Sequence, residues 1–164
     1  MLALSQASYI DKILEKYSKL KIPYASVVGD LIYAMWCTIP DICYAMGIVS
    51  RYQSNLGLKH WESVKYILKY FWRTRNCMLV YSRSDLMLVG YTDSNIQSDS
   101  DSRKSTSGYV FILNGGAIVW RSVIQSCVSD STMEVKYVAA SEAVKEVVWL
   151  CNFLRGLEVI PNLE

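Results

Sequence analysis

The chain has 164 residues, 52% of them apolar and 20% charged, enough for one folded domain or two small ones and unlike a disordered chain. Its five cysteines, at 37, 43, 77, 127 and 151, form no C-x-x-C pair, which speaks against a disulfide framework or a zinc site and for buried apolar thiols in a reduced compartment. The net charge of +2 is uneven: residues 1–76 hold ten Lys or Arg against five acids, residues 77–164 seven against ten. A basic front suits contacts to phosphates; it also suits a merely lysine-rich helical surface.

In chain order, Ser5 is an N-cap candidate for a helix with Ile10, Ile13, Leu14 and Tyr17 at helical spacing. Pro23 interrupts, and Ser26 to Trp36 is a second predicted helix with Val28, Leu31, Ile32 and Met35 on one face. Thr38-Ile39-Pro40-Asp41 carries a cap candidate, a proline in the first turn and an acid favoured by the helix dipole, which predicts a third helix to about Tyr52. Asn55-Leu56-Gly57 reads as a turn, then His60 to Arg73 as a fourth helix with Trp61, Val64, Ile67, Leu68 and Phe71 inward.

From there the period changes to that of strands. Met78 to Ser82 and Leu86 to Asp93 are extended segments separated by Arg83-Ser84-Asp85, and Ser94 to Ser107 is a polar loop. Gly108 to Leu113 and Ala117 to Val123 form a hairpin around Asn114-Gly115-Gly116. After Asp130 the helical period returns, with Ser131 or Thr132 as cap, Gly156 as stop, and Met133, Tyr137, Ala140, Val144, Val147, Val148, Cys151 and Leu154 as the inward stripe. The expected fold class is α+β: a helical front, residues 1–76, then residues 77–164 with a three-stranded antiparallel sheet and a long helix. No basic leader precedes an apolar core at the start, and Asp30, Pro40 and Asp41 break the greasiest tract, so neither a secretory signal nor a membrane span is expected. A cytoplasmic or nuclear location follows as the default.

Several stretches together resemble one family. They are Ile22-Pro23-Tyr24-Ala25 with Leu31-Ile32-Tyr33-Ala34-Met35, the run Thr38 to Ser50, His60-Trp61, Gly90-Tyr91-Thr92-Asp93, Asp101 to Val110, Gly115 to Ser122, and Ser131-Thr132-Met133-Glu134-Val135-Lys136-Tyr137. The set resembles the Pol polyprotein of copia-type retrotransposons, from the end of the reverse transcriptase region into a truncated RNase H domain. The family pattern at the last stretch is S-T-x-E-A-E-Y. That resemblance implies an RNase H-like fold and cleavage of the RNA strand of an RNA–DNA hybrid by two Mg²⁺ ions about 4 Å apart, held by clustered carboxylates.

The departures from the pattern carry the functional expectation. Asp93 matches the first metal-binding carboxylate, but the position of the second is Lys136, whose ammonium cannot ligate a metal. Glu134 lies two residues away, about 200° around a helix, and faces elsewhere; its expected role is a favourable acid in the first turn. Asn95 stands where the family often has another aspartate, no aspartate follows Asp130, and the apolar-Asp-Asp turn of the polymerase is absent. His60 reads as a helix-start residue and not a proton shuttle. Asp93 is therefore expected to be vestigial and to converge with Lys136, with cleavage lost, no metal or other cofactor retained (ancestrally Mg²⁺), and no membrane partner.

Expected partners are an RNA–DNA hybrid or other nucleic acid, held weakly through phosphates and stacking, although the helical spacing of the tyrosines and tryptophans equally suits a core. Weak self-association through an open edge of Leu86 to Asp93 is also expected. The alternative is a repurposed secreted RxLR-type effector, entering a host cell, acting on host proteins and modulating host cell death, since some oomycete effector candidates resemble the same body. Against it, the chain has no Arg-x-Leu-Arg tetrad.

Overall fold

A computed structural model describes residues 1–18, 23–53, 57–82, 86–99 and 101–158. The expected turn at Arg83-Ser84-Asp85, and Asn55 and Leu56 of the turn before the fourth helix, lie outside the described residues. The chain divides into two units, Met1–Tyr81 and Ser82–Glu164. The division falls a few residues after position 76, where the sequence period changes. The cause is a strand pair: Leu2–Leu4 (β1), which the sequence reading missed, pairs antiparallel with Leu79–Tyr81 (β2) and holds the latter in the first unit.

The first unit is otherwise helical: Ala7–Tyr17 (α1), Tyr24–Thr38 (α2), Cys43–Val49 (α3) and Leu58–Thr74 (α4). The expected third helix is broken into three, with 3-10 turns at Pro40–Ile42 and Ser50–Tyr52 on either side of α3. α2 is the hub, since Val27, Val28, Leu31 and Ala34 are all fully buried. Around it pack Ile10 and Ile13 of α1, Met46 and Val49 of α3, and Val64, Ile67 and Phe71 of α4. A fully buried Val, Leu, Ile, Met or Phe side chain contributes about 1.5–3 kcal/mol relative to exposure, and the single methyl of Ala34 less.

Polar contacts pin this bundle. Tyr24 OH donates to the Val49 carbonyl at 2.8 Å, and Lys16 Nζ reaches Asp30 Oδ2 at 2.6 Å with the Tyr17 hydroxyl on the same oxygen. Burial alone would raise the Asp30 pKa; the hydrogen bonds from Lys16 and Tyr17 outweigh it and hold the carboxyl below its ordinary value. His60 sits at the start of α4, where its Nδ1 accepts from the Gly57 N–H at 3.0 Å and its ring stacks on Tyr52 at 3.9 Å. It is a helix-start residue, as its position in the sequence suggests.

The second unit is a three-stranded antiparallel sheet, Leu88–Asn95 (β3), Thr106–Leu113 (β4) and Gly116–Ile124 (β5) in the order β3-β4-β5, followed by the helix Thr132–Gly156 (α5). This is the α+β arrangement the sequence predicts. The hairpin turns on Asn114 and Gly115, with φ of 53° and 82°, the left-handed pair that a two-residue turn between twisted strands requires. β4 is the middle strand, and its residues Ser107, Tyr109 and Phe111 are buried on the face that meets α5. β3 pairs with β4 on one side; among the described residues, no strand pairs with its other edge.

The phase of α5 differs from the sequence reading. Val135, Ala139, Ala143, Leu150 and Leu154 are buried, with Val147 packed against the same core. Met133 and Tyr137 are instead 80% and 76% exposed, and Ala140, Val144 and Val148 are exposed too. Both stripes are apolar, so hydrophobic period alone cannot choose between them. Ala139 and Ala143 lie on the buried stripe, and their small side chains let the helix axis approach the sheet closely.

Candidate functional site

The residues singled out by sequence lie at the C-terminal end of β3 and the first turns of α5. Ser131 caps α5, its Oγ accepting from the Glu134 N–H at 3.2 Å, while Glu134 Oε2 accepts from the Asp130 N–H at 3.2 Å. This reciprocal arrangement is a variant of the capping box that Ser-x-x-Glu encodes, and it gives Glu134 the helix-start role its position implies. Lys136, one residue after buried Val135 and three before buried Ala139, lies on the flank of α5 nearer the sheet and is exposed.

β3 meets α5 through Thr92. Its hydroxyl lies 3.0 Å from the Gly108 carbonyl and 3.4 Å from the Ala139 carbonyl of α5. Leu88 packs into the core under α5, and a Cβ added at Gly90 would meet the Phe111 ring at 2.5 Å. Leu88, Gly90, Thr92 and Ser94 therefore share the face toward the helix. Successive residues of a strand alternate between faces, so Asp93 leaves β3 on the other side. Asp93 is exposed, and its Oδ1 accepts from the Ser94 N–H at 2.8 Å. Among the described residues no ion pair joins it to Lys136.

Beneath the helix start lies a polar layer that the sequence reading did not single out. Gln125 is fully buried, and its Nε2 donates to Ser107 Oγ at 2.8 Å and to the Val135 carbonyl at 2.9 Å. The Gln125 N–H donates to the Ser105 carbonyl at 2.8 Å, and Ser105 Oγ accepts from the Gln97 N–H at 3.0 Å. Ser94, opposite Ser107 across the β3–β4 ladder, adds a buried hydroxyl on the same side. A single glutamine after an apolar strand gives no pattern by which the sequence could have announced this layer.

The acids near the site are engaged locally. Asp99 is 7% exposed, and its Oδ2 accepts from both the N–H and the hydroxyl of Ser102. Arg103 N–H donates to the Asp99 carbonyl and the Asp99 N–H to that of Lys104, at 2.8 and 3.1 Å, which closes the loop on itself. Among the described residues, no three His, Cys, Asp or Glu side chains come together in a way that could hold a metal ion. Asp93 and Glu134 each accept from a backbone N–H of their own surroundings, and among the described residues they join no carboxylate cluster of the kind a two-metal centre uses.

No family model matches the chain, and no solved structure matches it. Relatives at the sequence level are nonetheless clear. The chain is 48% identical over 156 residues to a retrovirus-related Pol polyprotein from the tobacco transposon TNT 1-94, covering 95% of itself and 12% of the polyprotein. It is 35% identical over 127 residues to a putative transposon Ty5-1 protein of Saccharomyces cerevisiae, 41% of which it covers. The chain belongs to the retrovirus-related Pol polyproteins of transposons. It spans only about an eighth of the tobacco polyprotein. A further relative, from Plasmopara viticola, is named secreted RxLR effector protein 161; it is 43% identical over 130 residues, and the chain covers 92% of it.

Proposed function

We propose that the second unit is an RNase H-like region of copia-type Pol origin that no longer cleaves RNA–DNA hybrids, and that the chain retains weak, non-catalytic affinity for nucleic acid. The observation that carries this reading is Lys136, an ammonium on the sheet-side flank of α5 where the family pattern has its metal-binding glutamate. A cation there repels a divalent metal by Coulomb's law, and two-metal hydrolysis degrades at both the attacking and the leaving oxygen when a ligand is lost. Asp93 is the vestige of the first ligand. The basic front supplies phosphate contacts whose affinity falls steeply with salt.

The test is a hybrid-cleavage assay of the purified chain with Mg²⁺ or Mn²⁺, run beside a salt series of binding to labelled hybrid. No turnover is expected, with weak binding lost as salt rises; turnover that disappears in Asp93→Asn overturns the reading.

A second reading is a secreted effector acting on host proteins inside a host cell. It is supported by the name of the Plasmopara viticola relative and by the coverage of that relative's length, and opposed by the lack of an Arg-x-Leu-Arg tetrad in this sequence. Recovery of the protein from a culture filtrate would favour it over a cytoplasmic or nuclear location.

A further inference from the structure

The outward face of α4 is both basic and aromatic. The helix carries four Lys or Arg, Lys59, Lys65, Lys69 and Arg73, against one acid, Glu62. Lys65, Lys69 and Arg73 succeed one another at intervals of four, about 6 Å per step along the axis, on the side opposite the buried Val64, Ile67 and Phe71. Like charges at this spacing repel and by themselves weaken a helix. All three are exposed, and among the described residues none has an ion pair or a side-chain hydrogen bond. Tyr66 and Trp72 flank the row, one on each side and each three residues from Lys69, and they are 73% and 62% exposed.

We propose that this face of α4 is a binding surface for single-stranded nucleic acid, with phosphates on Lys65, Lys69 and Arg73 and bases stacked on Trp72 and Tyr66. The proposal rests on the nucleic-acid affinity proposed above and gives it a place and a preferred form. Charge complementarity sets the sign of the occupant: a polyanion relieves the repulsion along the row, and the three cations replace its counterions. The rings set its form. A duplex or hybrid hides its base faces within the stack, whereas a single strand offers each one to an exposed ring. Cations and rings stand within one turn of each other, so backbone and bases are reached together. An acidic peptide would engage the cations and leave the rings without stacking partners. A membrane surface fits less well, because a helix that lies in the interface inserts its apolar side, and that side of α4 is buried in the bundle.

The test is fluorescence anisotropy of the full chain with short labelled oligothymidylate and oligouridylate, and with an RNA–DNA hybrid of the same length, over a salt series. A single strand is expected to bind more tightly than the hybrid, and the two oligomers tell DNA from RNA as the strand. Trp72→Ala weakens single-strand binding about tenfold and leaves its salt dependence unchanged. Lys69→Gln instead flattens the slope of log affinity against log salt by about 0.7. Thermal unfolding should show Lys69→Gln no less stable than the parent, since it removes repulsion along the helix. Lys145→Gln, at an exposed position of α5, changes neither affinity nor slope. A hybrid bound as tightly as both single strands, or binding that keeps its strength in both α4 variants, overturns this assignment and places the nucleic-acid affinity elsewhere on the chain. Failure of every nucleic acid to bind overturns this assignment and the affinity it rests on. Displacement of the oligomer by polyglutamate at equal charge would make the face a general anion surface, and overturns the assignment too.

Discussion

The hydroxyl of Thr92 lies 3.4 Å from the carbonyl of Ala139, fastening the end of β3 to α5. Because strand residues alternate faces, this contact commits the next residue, Asp93, to the opposite side. Asp93 is exposed there, its Oδ1 accepting from the Ser94 N–H, and among the described residues no ion pair joins it to Lys136.

Restoring the family's glutamate should for this reason not restore a metal centre. Lys136→Glu places a carboxylate on α5 while Asp93 remains on the far face of β3, and Glu134 stays engaged in the helix cap. Calorimetric titration with Mn²⁺ is expected to show no saturable site in either the parent chain or the variant, and neither should cleave a labelled hybrid. A stoichiometric site in Lys136→Glu, abolished by Asp93→Asn, would show that the two carboxylates converge after all.

Gln125 is the residue on which the helix start rests. Gln125→Ala removes hydrogen bonds to Ser107 Oγ and to the Val135 carbonyl from a fully buried position, and leaves a cavity besides. Lost hydrogen bonds and a cavity of this kind together cost about 2–4 kcal/mol. Urea unfolding should show that loss in the second unit's transition. A change below about 0.5 kcal/mol, the range of an ordinary surface substitution, would mean that the amide is not what holds α5 to the sheet.

Gly90 is required by a close approach and not by its own dihedral angles. A Cβ there would meet Phe111 Cε1 at 2.5 Å and Cδ1 at 2.8 Å, and Phe111, 4% exposed, has little room to withdraw. Gly90→Ala should destabilise the unit by about 1–3 kcal/mol, the usual cost of overpacking. Phe111→Leu introduced beside it should recover part of the loss, so that the double variant is more stable than the sum of the singles predicts. Strict additivity would place the strain elsewhere.

The element types and their order are readable in the sequence because each long element carries its own period and punctuation: Asn114-Gly115 for the hairpin, Ser131 with Glu134 for the start of α5. What could not be read depends on partners distant along the chain. β1 is three residues with no periodic signal; it exists because Leu79–Tyr81 lies alongside it. The phase of α5 was ambiguous because Val135, Ala139 and Ala143 compete with Met133, Tyr137 and Val144 on hydrophobicity alone, and only the sheet decides. At the candidate site, sequence supplied Asp93 and Lys136 through the family pattern. The roles of Thr92 and Gln125 follow from strand register and burial, which no local pattern encodes.

Tyr70 couples the first unit to high pH. Its ring lines a groove of about 420 Å³ between α3 and α4, together with Tyr44, Tyr66 and Ile67, and its hydroxyl donates to Asp41 Oδ2 at 2.5 Å. Burial first, and then the hydrogen bond to the Asp41 carboxylate, push its pKa up from 10 to about 12. Between pH 10 and about 12 the folded chain keeps a proton that the unfolded chain has lost. The stability this group contributes is therefore fully present below pH 10 and lost as pH rises through that window. Other tyrosines also have raised values, so the comparison must be differential. Urea midpoints of the parent chain and of Tyr70→Phe, measured from pH 8 upward, should run parallel below pH 10, and above it the parent should fall more steeply. Parallel curves throughout would show that the Tyr70 hydroxyl titrates alike in the folded and unfolded chain, and that its contact with Asp41 does not persist in solution.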